Sequence, residues 1–200
     1  MIQLVTYATP LITLPYVTRV LGPEGWGLVA WTQIIIGYFG VMQLWGFQIS
    51  ATSSIAKCRS SSEVARVFWL HWMGQLCLSF VALAVLAAAL GSGLISDSYR
   101  AHFTVGALGV AVVLFTPQWL FMGLEKTVIL SATQALMRVA TIPFIFLLVK
   151  SPSDGPKLLA IVYLLPLFGG ILLLFWTYRN YPPASGFLSF RRALSNLNKT

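Results

Sequence analysis

The stretch from Val67 to Leu90, VFWLHWMGQLCLSFVALAVLAAAL, runs for 24 residues without an Asp, Glu, Lys or Arg. A bilayer core of about 30 Å is crossed by roughly 20 apolar residues in a helix, so this run alone is long enough to span. Five more long apolar runs flank it: Ile2 to Leu21, Trp26 to Ile49, Phe103 to Gly123, Val128 to Val149 and Leu158 to Tyr178. All are continuous and rich in Leu and Ala, and none shows the polar and apolar alternation of a barrel strand. The sequence therefore predicts an all-α fold, a polytopic membrane bundle of six transmembrane helices. Composition agrees, with 58% hydrophobic residues, 9% charged residues and a mean hydropathy of +0.81. A soluble domain carries about 25% charged residues.

Orientation follows from Lys and Arg in the connections. The second, fourth and sixth hold Lys57, Arg59, Arg66, Lys126, Arg179, Arg191, Arg192 and Lys199; the first, third and fifth hold Arg19, Arg100, Lys150 and Lys157. Eight against four predicts that both termini are cytoplasmic. Trp26, Trp69, Trp72, Trp176, Tyr178 and Tyr181 fall near predicted span ends and read as headgroup anchors. The first run is no signal peptide: it lacks a basic leader and a small-residue cleavage site, and Pro10 and Pro15 interrupt it. Residues 1–178 are read as the bundle and 179–200 as a cytoplasmic amphipathic linker or truncated tail. In that tail Phe187, Phe190, Leu194 and Leu197 share one side, a pattern suited to a membrane surface.

The formal charge of +8 is scattered over loops at both ends, so it reads as topology signal and attraction to membrane lipid rather than nucleic-acid binding. Cys58 and Cys77 are placed apart, which predicts neither a disulfide nor a metal site. The acidic residues Glu24, Glu63, Asp97, Glu125 and Asp154 lie in loops or at span ends without close pairing, and no Walker motif or nucleophile elbow is present. An enzyme and a cofactor are disfavoured, and a transporter is favoured.

Arg138 breaks the pattern by falling near the middle of the fifth run. A charge there costs about 2.5 to 3.5 kcal/mol on insertion scales. Two readings are open. In one the guanidinium faces a wet cavity and suits a phosphate or carboxylate; in the other the span starts near Ala132 and Arg138 sits at the cytoplasmic interface. The polar residues Gln33, Gln43, Gln118, Gln134, Thr13, Thr18 and Ser131 line a path on one reading and bond helix to helix on the other.

The runs PLITLPYVTRVLGPEGWGLVA (Pro10 to Ala30), GFQISATSSIAKCRSS (Gly46 to Ser62), FTPQWLFMGLEK (Phe115 to Lys126) and FIFLLVKSPSD (Phe144 to Asp154) resemble, in order and over nearly the whole chain, the polysaccharide transporter family of bacterial O-antigen flippases. The resemblance implies one lobe of a two-lobe exporter with alternating access. It also implies a task, moving undecaprenyl-pyrophosphate-linked oligosaccharide across the bacterial inner membrane. By the same resemblance Arg138 is the first candidate for the anionic headgroup. Arg19, Gln118, Trp119, Glu125 and Lys126 follow as substrate-binding candidates, while Pro23, Gly25 and Gly123 read as turn formers.

The chain departs from the family where Leu44 or Trp45 replaces an acid before Gly46-Phe47, and where Ser53 and Ser54 replace an Arg-Glu pair. It looks like the N-terminal bundle alone. The implied partners are the lipid-linked oligosaccharide, a missing C-terminal lobe or a homodimer mate, and other polysaccharide assembly proteins. A truncated remnant or structural membrane subunit is one alternative. A glycan polymerase or transferase is another, and would show a large extracytoplasmic loop or an acidic pair.

Overall fold

The computed structural model describes residues 2–44 and 46–183, with side chains from residue 8 onward. The described chain is all-helical: α1 (Ile2–Leu44), α2 (Phe47–Ala56), α3 (Ser61–Gly91), α4 (Asp97–Phe115), α5 (Gln118–Gly123), α6 (Thr127–Leu148) and α7 (Gly155–Asn180), with a 3-10 turn at Pro152–Asp154 before α7. The first element is a hairpin. Gly22 has φ 70° and ψ 177°, outside the helical region, and Pro23 follows it with the φ that opens a new helix. Thr9 and Gln33 line the same cavity, whereas a straight helix would hold them about 36 Å apart. Arms 2–21 and 23–44 therefore fold back on each other, and the chain makes six crossings.

Contacts fix their directions. Tyr16 donates to the Val149 carbonyl at 2.8 Å, and a Cβ on Gly25 would meet the Pro152 carbonyl at 3.0 Å. On the second arm Gln43 donates to Ser79 of α3 and to the Val110 carbonyl of α4. The successive spans alternate in direction. One end, the crown, gathers Gly22, the α3–α4 turn and Pro152–Asp154. The other, the base, gathers α2, α5 and Tyr181.

The crown turns are tied by their own side chains. Asp154 accepts from the backbone N–H groups of Lys150 and Ser151 at 3.0 and 2.8 Å and pairs with Lys157 at 2.7 Å. At the base, Ser60 caps α3 by accepting from the Glu63 N–H, and the Glu63 carboxylate accepts from the Arg59 N–H. This reciprocal cap starts α3 six residues before the predicted Val67. The predicted second span ends at Ile49, but the second arm stops at Leu44 and α2 restarts after left-handed Gly46 and runs to Ala56.

The predicted fourth span is likewise cut by Pro117. Proline offers no N–H to the Val113 carbonyl, and the Gln118 N–H turns to Thr116 instead of Leu114. The neighbouring helix supplies both missing donors: Gln75 Nε2 reaches the Val113 carbonyl at 3.2 Å and Trp72 Nε1 the Leu114 carbonyl at 3.2 Å. Trp119 Nε1 then donates to Gln75 Oε1 at 3.4 Å. Trp69 and Trp72 thus act between helices rather than as anchors, Trp69 donating to the Tyr181 carbonyl.

Buried Phe68, Trp69, Trp119 and Leu120 form the core of the base, and Val17, Leu21, Val29, Ile145 and Leu159 that of the crown. Around this the helices turn large apolar side chains outward along much of their length, Phe80, Leu147 and Phe175 each being more than 60% exposed. A belt of that extent belongs in lipid. Helix α7 runs to Asn180, so residues 179 and 180 continue the last span; most of the predicted linker, with Arg191 and Arg192, lies outside the described residues.

Candidate functional site

Thr127, Ser131, Gln134, Arg138 and Thr141 recur along α6 every three or four residues, so one face of an otherwise apolar helix is a polar stripe. Arg138 stands at the helix midpoint, ten residues from Leu148 and eleven from Thr127. At 1.5 Å per residue that is about 15 Å from either end, beyond easy snorkelling. The helix starts at Thr127, five residues before Ala132, which favours the mid-span reading over the interfacial one.

Two cavities meet at this residue. The crown cavity, about 480 Å³, lies between the α1 hairpin, α6 and α7, with Thr13, Trp26, Gln33, Arg138 and Thr141 on its wall. The base cavity, about 270 Å³, lies between α4, α5, α6 and α7, with Thr116, Gln118, Gln134, Arg138 and Tyr163 on its wall. Arg138, Val162 and Pro166 belong to both. Pro166 donates no N–H to the Val162 carbonyl, which leaves a backbone acceptor at the junction.

Arg138 is exposed and its guanidinium has no hydrogen-bond or ion-pair partner among the described residues. Among the described residues it is also the one formal charge lining either cavity. The acids sit at the ends: Asp97 pairs with Arg100 and Asp154 with Lys157. The cavities therefore present an uncompensated cation midway along α6, among mostly apolar walls that also carry amides and hydroxyls. This arrangement can hold an anionic group with charge-assisted bonds. Among the described residues no group of three His, Cys, Asp or Glu side chains could hold a metal ion.

The structure brings Arg138 and Gln118 to one cavity and places the other four candidates elsewhere. Trp119 is 1% exposed, its ring packed on Phe68, where burial keeps it from a substrate. Arg19 is exposed one turn before the Gly22 bend and lines neither cavity. Glu125 and Lys126 form the α5–α6 turn: Glu125 has φ 57°, and the Glu125 and Lys126 N–H groups bond back to Met122 and Phe121. That is a Schellman end with Glu where Gly is usual. Lys126 lies over the Trp176 ring at 5.1 Å.

Gly123 is no turn residue. A Cβ there would meet Ile55 at 2.7 Å and the Thr52 carbonyl at 2.9 Å, so its smallness lets α5 press on α2. Of the polar candidates, Gln43 bonds helix to helix, while Thr13 and Gln33 face the crown cavity and Gln118 and Gln134 the base cavity. Sequence reasoning missed Thr141 and did not place Trp26 at a cavity wall. The seven-residue step from Gln134 to Thr141 was the available signal for the first.

Residues 1–198 match the family described as polysaccharide biosynthesis protein. Two curated relatives carry the name "Putative O-antigen transporter". The chain is 34% identical to the one from Escherichia coli K12 over 152 residues, 74% of this chain and 36% of that protein. It is 28% identical to the one from Shigella dysenteriae over 148 residues, 74% of this chain and 37% of that protein. The match spans little more than a third of either relative's length. No solved structure matches the chain significantly.

Proposed function

The chain belongs to the polysaccharide biosynthesis protein family, and from that premise we propose that it is one lobe of an exporter carrying undecaprenyl-pyrophosphate-linked oligosaccharide across the bacterial inner membrane. The observation that carries the proposal is Arg138, a cation without a partner among the described residues, at the midpoint of a long apolar helix where two cavities of mostly apolar wall meet. The lipid tail stays in the bilayer while the pyrophosphate engages Arg138. The sugars then move from the base cavity to the crown cavity as the lobe rocks by alternating access. The name carried by both relatives, "Putative O-antigen transporter", supports this reading over an enzyme.

The base is the cytoplasmic end in this proposal, since Lys57, Arg59, Arg66, Lys126 and Arg179 cluster there. A second lobe or a second copy of the chain completes the enclosure of the two cavities in this reading. Of the site candidates, Gln118 supports the substrate in the base cavity; Arg19, Glu125 and Lys126 act at the ends of the path, and Trp119 acts through the core.

The test is surface glycan in cells that depend on this gene, with variant protein held at native level. Losing a charge-assisted contact of about 1.5 to 3 kcal/mol predicts a drop of roughly ten- to a hundredfold in flux for Arg138→Ala, and a smaller one for Arg138→Lys. Unchanged glycan in Arg138→Ala would overturn the assignment.

A further inference from the structure

We propose that Trp26 is the stacking platform of a sugar subsite in the crown cavity, taking one face of a pyranose ring while Arg138 holds the phosphate. The proposal rests on the exporter reading above and names residues that would read the glycan itself.

Trp26 sits three residues past Pro23, where a tryptophan at a span end is expected to reach into the headgroup zone. Trp26 instead lines the crown cavity, half-buried and packed against the core that includes Val17, Leu21 and Val29. The indole N–H groups of Trp69, Trp72 and Trp119 are committed to Tyr181, Leu114 and Gln75. That of Trp26 has no partner among the described residues. Gln33, seven residues on and so about 10 Å along the same face of the arm, also has a side-chain amide without a partner among the described residues.

Thr13 and Thr141 complete the wall. Each donates its hydroxyl to its own helix, to Thr9 and Arg138 carbonyls respectively, which leaves lone pairs to accept. Beside apolar walls that include Leu14, Val17 and Leu158, the cavity thus offers an aromatic side chain, two donors without partners among the described residues and several acceptors, with the charge of Arg138 on the same wall. Pyranoses match that set, having one C–H-rich face and a rim of hydroxyls that both donate and accept. A polyprenyl tail would use none of the polar groups. A polyanion would need more cations than Arg138. At about 480 Å³ the space lies in the lower part of the ligand-pocket range of roughly 300 to 1,000 Å³ and suits one or two rings.

The test compares two probes on the purified chain in lipid nanodiscs: farnesyl pyrophosphate, and the same molecule bearing N-acetylglucosamine. The native protein is expected to prefer the sugar-bearing probe. Trp26→Ala should erase roughly five- to tenfold of that preference while farnesyl pyrophosphate binding is kept, and Trp26→Phe should retain most of it. Retained farnesyl pyrophosphate binding also shows that the Ala variant is folded. A preference that survives Trp26→Ala overturns the proposal, as does an equal loss for both probes, which would assign the ring to the tail or the fold. No preference in the native protein removes the sugar subsite and leaves the Arg138 reading standing. Failure of both probes to bind removes both.

Discussion

Replacing Gln75 with methionine keeps side-chain volume but withdraws both hydrogen-bonding groups from a residue that is 1% exposed. Two partners are then stranded: the half-buried Val113 carbonyl, which has no helical donor because residue 117 is proline, and the buried Trp119 Nε1–H. Hydrogen bonds between membrane helices average about 0.6 kcal/mol each, while a buried group left unsatisfied costs about 1 to 3 kcal/mol. With one well-formed bond at 3.2 Å and one long bond at 3.4 Å, we expect a loss of about 2 kcal/mol.

Gln43→Met is the control. Its partners keep other bonds, since Ser79 Oγ still donates to the Gln75 carbonyl and Val110 lies four residues before Leu114 within α4. Its own Oε1 is buried without a partner, so removing it relieves a desolvation cost. We expect a change within about 0.5 kcal/mol. The assay is reversible unfolding in mixed micelles with increasing SDS. In a Pro117→Ala background the new N–H can serve the Val113 carbonyl, and the Gln75→Met cost should fall by about half. Equal costs for the two glutamines, or no coupling to residue 117, would refute the account of how α4 ends.

Three further outcomes follow from particular contacts. Gly123→Ala drives a Cβ into Ile55 and the Thr52 carbonyl, and should lower stability by about 1 to 3 kcal/mol in the same assay. Glu125→Gly frees a left-handed residue of its Cβ penalty and should raise stability by about 0.5 to 1 kcal/mol; if transport falls as stability rises, the carboxylate has a role in transport. Burial first, and then the Glu63 carboxylate, push the Cys58 thiol above its ordinary pKa, against Arg66. Less thiolate is therefore present at neutral pH, so maleimide labelling of Cys58 should be slow there and still rising beyond the pH at which a free thiol levels off. An impermeant maleimide should label it from the cytoplasmic side only, and labelling from the opposite side of intact cells would reverse the proposed orientation.

The spans were readable because burying about 20 backbone units in hydrocarbon demands an uninterrupted apolar run, and little else produces one. Their breaks were harder. Pro117 looked like a kink inside one span because nothing local shows that α3 supplies the lost bonds through Gln75 and Trp72. The Ser60 and Glu63 cap was legible in the letters Ser-x-x-Glu, yet the hydropathy of Val67 onward drew the boundary inward. Arg138 stood out because charge is costly in lipid, and its neighbours on α6 share its face by simple periodicity. Trp26 could not be placed, because a tryptophan near a span end has the same sequence context whether it meets headgroups or a cavity. Only the fold of the hairpin separates the two.

The bend at Gly22 also bears on how the protein enters the membrane. A single non-helical residue separates the first two crossings, so no loop remains that could be threaded through after the first helix has settled. The insertion machinery must accept arms 2–21 and 23–44 as one closed unit whose tip crosses the bilayer together. That tip carries Arg19 and Glu24, one cation and one anion, so the cargo has no net charge. Lengthening this connection with an epitope or charged tag would change the order of insertion events as well as the shape of the crown.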